Sequence, residues 1–292
     1  MKYTLFALLP LVTYAQEMTG PTLGWSQSAD GRSLQAVYGV AGAARLGPAA
    51  GWPEELTDIV VSPSGQRAVA REGDTTVLVD LLTRRVTPLA GASRAGTKVW
   101  SPLGTALLLA NNGQVRVYVQ RGNAFQALEE TSLPAQSYSV SDDGSSILTI
   151  AGDELLLHNT QGARVLGRKS AGFTFVAGTN TAAFADGVDL VIGTNRFALP
   201  VDSPWLESPA PGKILAIDRA GGRVIWFDDQ GSQLAEASCN CPVERIERLG
   251  VAGTLRLMTS DGAPAWLVET SGVSHRLFFV PNTIASSNEV EQ

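Results

Sequence analysis

Cysteine and histidine are scarce in this sequence, which has 292 residues but two cysteines and two histidines. A structural zinc ion takes four ligands, drawn mainly from these two residue types. His158 ends one apolar run and His275 begins another, and we expect both to be surface side chains. A Ser-His-Asp triad has equally little material. The sequence therefore predicts no metal site, no cofactor and no catalytic residue.

Linear motifs for nucleotide binding and acyl transfer are also missing. The sequence contains no G-x-S-x-G elbow, no Walker A loop and no G-x-G-x-x-G. Acidic residues outnumber basic ones by 28 to 22, so the formal net charge is −6. Because nucleic-acid binding relies on basic side chains that neutralise phosphates, we expect no nucleic-acid partner.

Hydrophobic runs long enough to span a bilayer are lacking as well. Residues 1–15, MKYTLFALLPLVTYA, carry one lysine and an apolar run of about a dozen residues, and Thr13-Tyr14-Ala15 is a plausible cleavage site. This pattern predicts a signal peptide cleaved near Ala15, and hence export to the periplasm or the outside of the cell. The alternative is a buried N-terminal strand. We expect no membrane span, since no later run is long enough.

What the chain does have is a repeated phrase rich in glycine and apolar residues. In TKVWSPLGTALLLANNGQVRVYVQ (97–120), three apolar runs alternate with Pro-Gly and Asn-Asn-Gly turns, which is typical of antiparallel strands. Similar phrases recur every 34 to 41 residues or so along the chain. Their turn glycines are Gly65, Gly104, Gly144, Gly178, Gly212 and Gly253.

The repeat predicts an all-β fold, a β-propeller that forms one domain over residues 16–281. Runs such as Ile214–Ile217 are continuously apolar, as expected of strands covered on both faces by neighbouring blades. The hairpin at Gly24–Tyr38 leaves two alternatives. It is either a degenerate first blade, which gives the seven blades we favour, or an addition to six full blades. We expect residues 282–292 to be a disordered polar tail.

The repeat also resembles a known class. The phrase SPSGQRAVA…TTVLVDLLTRRVTPL, which begins at Ser62, is similar to the strand–SPDG–strand phrase of bacterial YVTN-type and TolB-like β-propellers. The resemblance covers residues 58–280, although a literal YVTN tetrapeptide is not present. It implies the architecture, while binding scaffolds and lactone-hydrolysing enzymes both occur on such repeats. Function must therefore come from the site.

Cys239-Asn240-Cys241 is the most unusual local feature of the chain. In an exported protein the two thiols have only each other to pair with inside the chain, so we expect a disulfide. The alternatives are two free thiols or a redox or metal role.

The acidic pairs Asp142-Asp143 and Asp228-Asp229 could bind Ca²⁺ or act as acid and base. However, Asp close before Gly is also the usual sequence of a β-turn, which is the alternative for both pairs.

Two tryptophans are the candidate contacts for a ligand. Trp52 and Trp205 lie in proline-containing connections, where an exposed aromatic ring offers contact area at low entropic cost. The alternative is that each packs over a blade edge.

The prediction for function is an exported, monomeric, non-enzymatic binding or scaffold protein with an unknown protein or carbohydrate ligand. A metal-assisted, lactonase-like hydrolase at the channel mouth is the alternative.

Overall fold

The computed structural model describes residues 21–27, 33–50, 56–92, 96–170, 172–250, 253–259, 265–270 and 275–280. Within these ranges the chain forms 28 strands and one short 3-10 helix, arranged as seven antiparallel sheets in a ring. The fold is a seven-bladed β-propeller. The prediction of seven blades is confirmed, and the alternative of six blades is wrong. The predicted signal peptide, residues 1–15, and the predicted tail, residues 282–292, lie outside the described residues.

The strands follow one another in chain order within each blade. Blade 1 contains β1 (Thr22–Gln27), β2 (Leu34–Tyr38), the 3-10 helix η1 (Ala41–Ala43) and β3 (Arg45–Ala50). Blade 2 contains β4 (Leu56–Val61), β5 (Arg67–Glu72), β6 (Thr75–Asp80) and β7 (Val86–Pro88). Blade 3 contains β8 (Thr97–Trp100), β9 (Ala106–Asn111), β10 (Gln114–Arg121), β11 (Ala124–Ala127) and β12 (Thr131–Ser132), which pairs with β10.

The remaining four blades each have four strands in the described part of the chain. Blade 4 contains β13 (Ser137–Val140), β14 (Ile147–Ala151), β15 (Glu154–Asn159) and β16 (Gly162–Arg168). Blade 5 contains β17 (Phe173–Phe175), β18 (Ala182–Asp186), β19 (Asp189–Ile192) and β20 (Asn195–Ala198). Blade 6 contains β21 (Trp205–Ala210), β22 (Lys213–Ile217), β23 (Arg223–Asp228) and β24 (Gln233–Ser238). Blade 7 contains β25 (Arg245–Arg248), β26 (Thr254–Met258), β27 (Ala265–Glu269) and β28 (Arg276–Val280).

The repeated phrase forms the first three strands of each blade, as residues 97–120 do in blade 3. Its turn glycine joins the first strand to the second with a positive φ, for example 74° at Gly104 and 72° at Gly144. Glycine adopts this backbone conformation without the steric penalty of a Cβ atom. The repeat therefore fixes where each blade begins.

The hydrophobic core lies between blades. Apolar side chains of the second and third strands point alternately to the two neighbouring blades, which explains why these runs do not alternate with polar residues. In one cluster, Leu190 of blade 5 packs with Ile214 and Ile225 of blade 6. All three side chains are fully buried.

The ring closes between blade 1, built from N-terminal strands, and blade 7, built from C-terminal strands. Among the described residues, no strand from one end of the chain completes the blade at the other end. The backbone N–H of Trp25 instead donates to Leu249 O at 3.2 Å, next to an isolated bridge between Gly24 and Gly250. Val37 of blade 1 packs in one cluster with Leu249 and other blade 7 side chains. Closure thus relies on close backbone approach and side-chain packing.

Candidate functional site

A channel runs along the axis of the ring, between the first strands of all seven blades. Its cavity has a volume of about 390 Å³ and every blade contributes to its wall. Each first strand pairs with a second strand on one edge only, so its other edge faces the axis. One wall residue from each blade in turn is Trp25, Val60, Trp100, Tyr138, Phe173, Leu206 and Arg245.

Half-buried aromatic side chains are a common property of this wall. Trp25 and Trp100 lie in the wall of the main cavity, and the indole N–H of Trp100 donates to Val60 O of the preceding blade at 3.1 Å. Tyr138 and Phe173 line both the main cavity and an adjoining cavity of about 380 Å³, at the end of the channel where the first strands begin. Trp100 also packs against the core cluster between blades 2 and 3, so its side chain lies between that core and the channel.

Trp205 lines the adjoining cavity together with Tyr138 and Phe173. The Arg219 guanidinium lies over its ring at 4.3 Å from the centroid, a cation–π contact. The prediction that Trp205 lies in a connecting loop is wrong, because it is the first residue of β21 and pairs with Ile217. Pro204, directly before it, cannot donate a backbone hydrogen bond and is compatible with the start of a strand. Trp52 lies outside the described residues.

Two carboxylates of the channel wall are held by arginines. Arg248 donates from Nε to Glu207 Oε2 at 2.9 Å, and its Nη2 also donates to Glu207. Its Nη1 donates to the Pro102 carbonyl of blade 3, across the channel. Glu207 is therefore held in place by a guanidinium from the next blade.

Glu247 is the second of these carboxylates, and it lies where the ring closes. Ser26 Oγ donates to Glu247 Oε2 at 2.6 Å, and Arg245 Nη2 lies 3.0 Å from Oε1. Arg256 Nη1 lies 3.5 Å from Oε2 and also donates to Ser26 Oγ. Burial lowers the pKa of the Arg256 guanidinium, and the Glu247 carboxylate opposes that shift. This cluster ties blade 7 to blade 1.

Lys98 of β8 also lines the channel, and its side chain is half-buried. Burial lowers the pKa of its ammonium, while the nearby Asp58 carboxylate opposes the shift. Asp58 is itself paired with Arg71, at 3.3 Å. No sequence motif marks Lys98 or the charged residues of β25. The sequence did contain one indication: each of these charged residues lies in the first strand of a repeat, which is the innermost strand of its blade.

Both histidines lie outside the channel wall. His158 Nε2 is 2.9 Å from Thr149 Oγ1, and burial lowers the pKa of its imidazole. His275 Nε2 is 3.0 Å from Lys213 Nζ, and its ring packs edge-on against Trp226. Within the described ranges, no group of three or more His, Cys, Asp or Glu side chains could hold a metal ion.

The acidic pair Asp142-Asp143 joins neighbouring blades. Asp142 accepts from Leu103 N of blade 3 and from Gly178 N of blade 5, both at 2.7 Å. Burial would raise the pKa of Asp143, but hydrogen bonds from Asn180, Ser141 and Ser145 outweigh it and hold that pKa at about 2. These contacts organise turns. Asp228 has a similar role, since it accepts from Gln230 N and Ser232 N within its own turn.

Cys239 and Cys241 are joined by a disulfide in the structure, with their Cα atoms 5.2 Å apart. The bonded segment follows β24 and is attached to the turn between β22 and β23. Cys239 N donates to Gly222 O at 3.2 Å and Val243 N to Arg219 O at 2.7 Å. The disulfide thus lies beside the turn that carries Arg219, the residue stacked on Trp205.

Comparison with known proteins supports the fold. No protein-family model and no curated protein sequence matches the chain. Among solved structures, the Cps50 (Swd1) β-propeller domain of Myceliophteria thermophila is 15% identical, with a TM-score of 0.54 over 77% of this chain and 85% of that one. A functionally unknown protein from Desulfotomaculum acetoxidans is 12% identical, with a TM-score of 0.55 over 89% and 99%. The RRP9 WD40 repeats are 11% identical, with a TM-score of 0.51 over 77% and 80%.

At these identities the likeness shows the fold alone. The chain is a β-propeller similar in architecture to WD40 propellers. Among the described residues, no helix has both the length and the apolar character needed to cross a membrane.

Proposed function

We propose that this protein is an exported, monomeric, non-enzymatic binding protein of the YVTN-type or TolB-like kind, and that its ligand enters the end of the channel where the first strands begin. The observation that carries the proposal is the group of half-buried aromatic side chains there, formed by Tyr138, Phe173 and Trp205. Aromatic side chains bury a large area and lose little conformational freedom, which is why they anchor both protein and carbohydrate ligands.

The fold supports a binding function. Propellers present a rigid ring of strand ends and connecting turns around a central opening, and many unrelated functions use that surface. The cavities of about 390 and 380 Å³ fall in the range of about 300–1,000 Å³ that is usual for ligand pockets. Cavities of this size fit a sugar unit or a few side chains of a partner protein.

We do not propose the hydrolase alternative. Its site would need converging carboxylates at the channel mouth that are available to a metal ion or a substrate. The channel carboxylates Glu207 and Glu247 are each bound to arginine. No observation on the described residues therefore favours hydrolysis.

The binding proposal is tested with a glycan array and a library of short peptides, followed by titrations monitored by tryptophan fluorescence. We expect Phe173→Ala to weaken a bound ligand at least tenfold, because Phe173 lies in both cavities. Phe279→Ala is the matched control, since Phe279 is 51% exposed on the outermost strand of blade 7. Equal effects of the two substitutions, or no ligand from either collection, would contradict the proposal.

Export and oligomeric state need separate experiments. Expression of the full chain in a bacterial host, followed by fractionation and N-terminal sequencing, should give a soluble exported product that begins near Gln16. Light scattering during gel filtration should give the mass of a single chain. Retention of residues 1–15 in the cytoplasmic fraction would contradict the export proposal.

A further inference from the structure

The main cavity of the channel carries a small excess of positive charge in an acidic protein. The whole chain has a formal net charge of −6. Three carboxylates in or beside the main cavity are paired with arginine. The pairs are Arg71 with Asp58, Arg248 with Glu207, and both Arg245 and Arg256 with Glu247. The lining of the main cavity thus contains three cationic side chains, Lys98, Arg245 and Arg248, and two carboxylates, Glu207 and Glu247, while Glu244 lines the adjoining cavity.

Lys98 takes no part in these ion pairs. Among the described residues, no hydrogen bond or ion pair reaches its ammonium group. The carboxylate that acts on it, Asp58, is already paired with Arg71 at 3.3 Å. The side chain is half-buried in the wall of the channel. Partial burial of a charge that has no direct ion-pair partner is unfavourable, and an incoming anion would relieve it.

The surroundings of Lys98 define what such an anion can be. Trp25, Trp100 and Val60 line the same cavity and provide apolar contact for the rest of a ligand. The arginine guanidinium groups, which would bind a phosphate in bidentate fashion, are engaged with protein carboxylates. A single ammonium group matches a group with one negative charge.

We infer that Lys98 binds a carboxylate carried by the ligand that enters the channel. The inference deepens the proposed binding function and rests on it. The carboxylate could belong to a sugar acid or to an acidic side chain of a peptide, and both sources share the same chemistry at Lys98. Charge-assisted contact fixes one end of the ligand, while the aromatic wall contacts the remainder.

The small number of lysines permits a direct test. After Ala15 the chain has three lysines, Lys98, Lys169 and Lys213. Brief acetylation at several pH values, with the modified sites quantified by mass spectrometry, gives the rate at each lysine in one sample. Glucuronate and the peptide Gly-Glu-Glu-Gly are the acidic probes, and glucose and Gly-Gln-Gln-Gly are their neutral counterparts.

We expect at least one acidic probe to slow acetylation of Lys98 at least fivefold and to leave Lys169 and Lys213 unchanged. The neutral counterparts should not protect Lys98. Protection by glucuronate alone assigns the carboxylate to a sugar acid, and protection by the peptide alone assigns it to an acidic segment. If neither acidic probe protects at millimolar concentration, or if the neutral probes protect equally, the inference is overturned.

Substitutions at Lys98 give a second readout. Titrations with the protecting probe should show at least tenfold weaker binding for Lys98→Met, while Lys98→Arg, which retains the charge, stays within about threefold of the wild type. Lys169→Met is the control, because Lys169 contacts Gln136 outside the channel wall. The circular dichroism spectrum and melting temperature establish that each variant is folded, and the acetylation result stands even if Lys98→Met does not fold.

The outcomes separate this inference from the proposed function. Neutral ligands that require Phe173 but are indifferent to Lys98→Met would support the binding protein and overturn the carboxylate site. Acidic probes that require Lys98 but are indifferent to Phe173→Ala would support the carboxylate site and contradict the proposed entry point.

Discussion

Replacement of Gly250 by alanine tests how the ring closes. A Cβ atom at Gly250 would lie 2.1 Å from the Cα of Gly65, and the residue has a φ of +90°. The atoms that this Cβ would meet belong to the backbone, so no side-chain rotation can relieve the clash. Gly24, which bridges to Gly250, is equally confined, since its Cβ would lie 1.1 Å from Leu249 O. Substitution of Gly250 must therefore push the turn of blade 7 away from the turn of blade 2.

Gly152→Ala is the matched control. Gly152 also has a positive φ, +60°, but no heavy atom lies within 4 Å of its Cβ position. Gly152→Ala should therefore lower the free energy of unfolding only by the cost of a left-handed backbone at alanine, about 1–2 kcal/mol. Gly250→Ala carries a comparable backbone penalty and adds the clash, for which overpacking data indicate a further 1–3 kcal/mol or so. We expect about 2–5 kcal/mol of destabilisation in total.

The assay is urea denaturation followed by tryptophan fluorescence and circular dichroism, with midpoints compared where the m-values agree. A shift of the Gly250→Ala midpoint well beyond that of Gly152→Ala is the expected result. If the two variants unfold at the same urea concentration, the close packing of backbone at Gly250 does not limit stability. The reasoning about closure would then be refuted.

Two further predictions concern ionised groups. Because the pKa of Asp143 is held at about 2, below the usual 3.8, its ionised form stabilises the fold above pH 4 or so, and this contribution is lost as the pH falls from about 4 to 2. Asp143→Asn should cost about 1 kcal/mol at pH 7, after allowance for solvent screening of an exposed side chain, and much less at pH 2, where about half of the carboxyl groups are protonated. A difference independent of pH would contradict this. Arg256→Met should destabilise the protein by about 3 kcal/mol, because it removes a buried partner of Glu247. The double variant with Glu247→Gln should lose less than the sum of the single losses in a double-mutant cycle, and strict additivity would show that the pair is not coupled.

Much of the fold was predictable because its unit is local. The glycine turns and the apolar runs on either side of them indicated the first three strands of blades 2 to 7. The first blade was ambiguous from the sequence. A hairpin at residues 24–38 has the same pattern whether it begins a ring or is added to one.

The candidate site was far less predictable. Trp205 was singled out as an aromatic near prolines, but in the structure it is a strand residue stacked beneath Arg219. Lys98, Glu207 and Glu247 gave no motif, because each comes from a different blade. A channel wall built from one or two residues per strand has no linear signature.

The sequence by itself determined the repeat, the all-β class, the acidic charge and the scarcity of metal-binding side chains. Only the tertiary structure decided which residues meet at the axis. Ser26 contacts Arg256 although 230 positions separate them, and Arg248 reaches Pro102 over 146 positions. Strand and turn preferences act between neighbours in the chain, whereas closure of the ring brings distant first strands together. The ion pairs that line the channel, and the position of Lys98 outside them, follow from that closure.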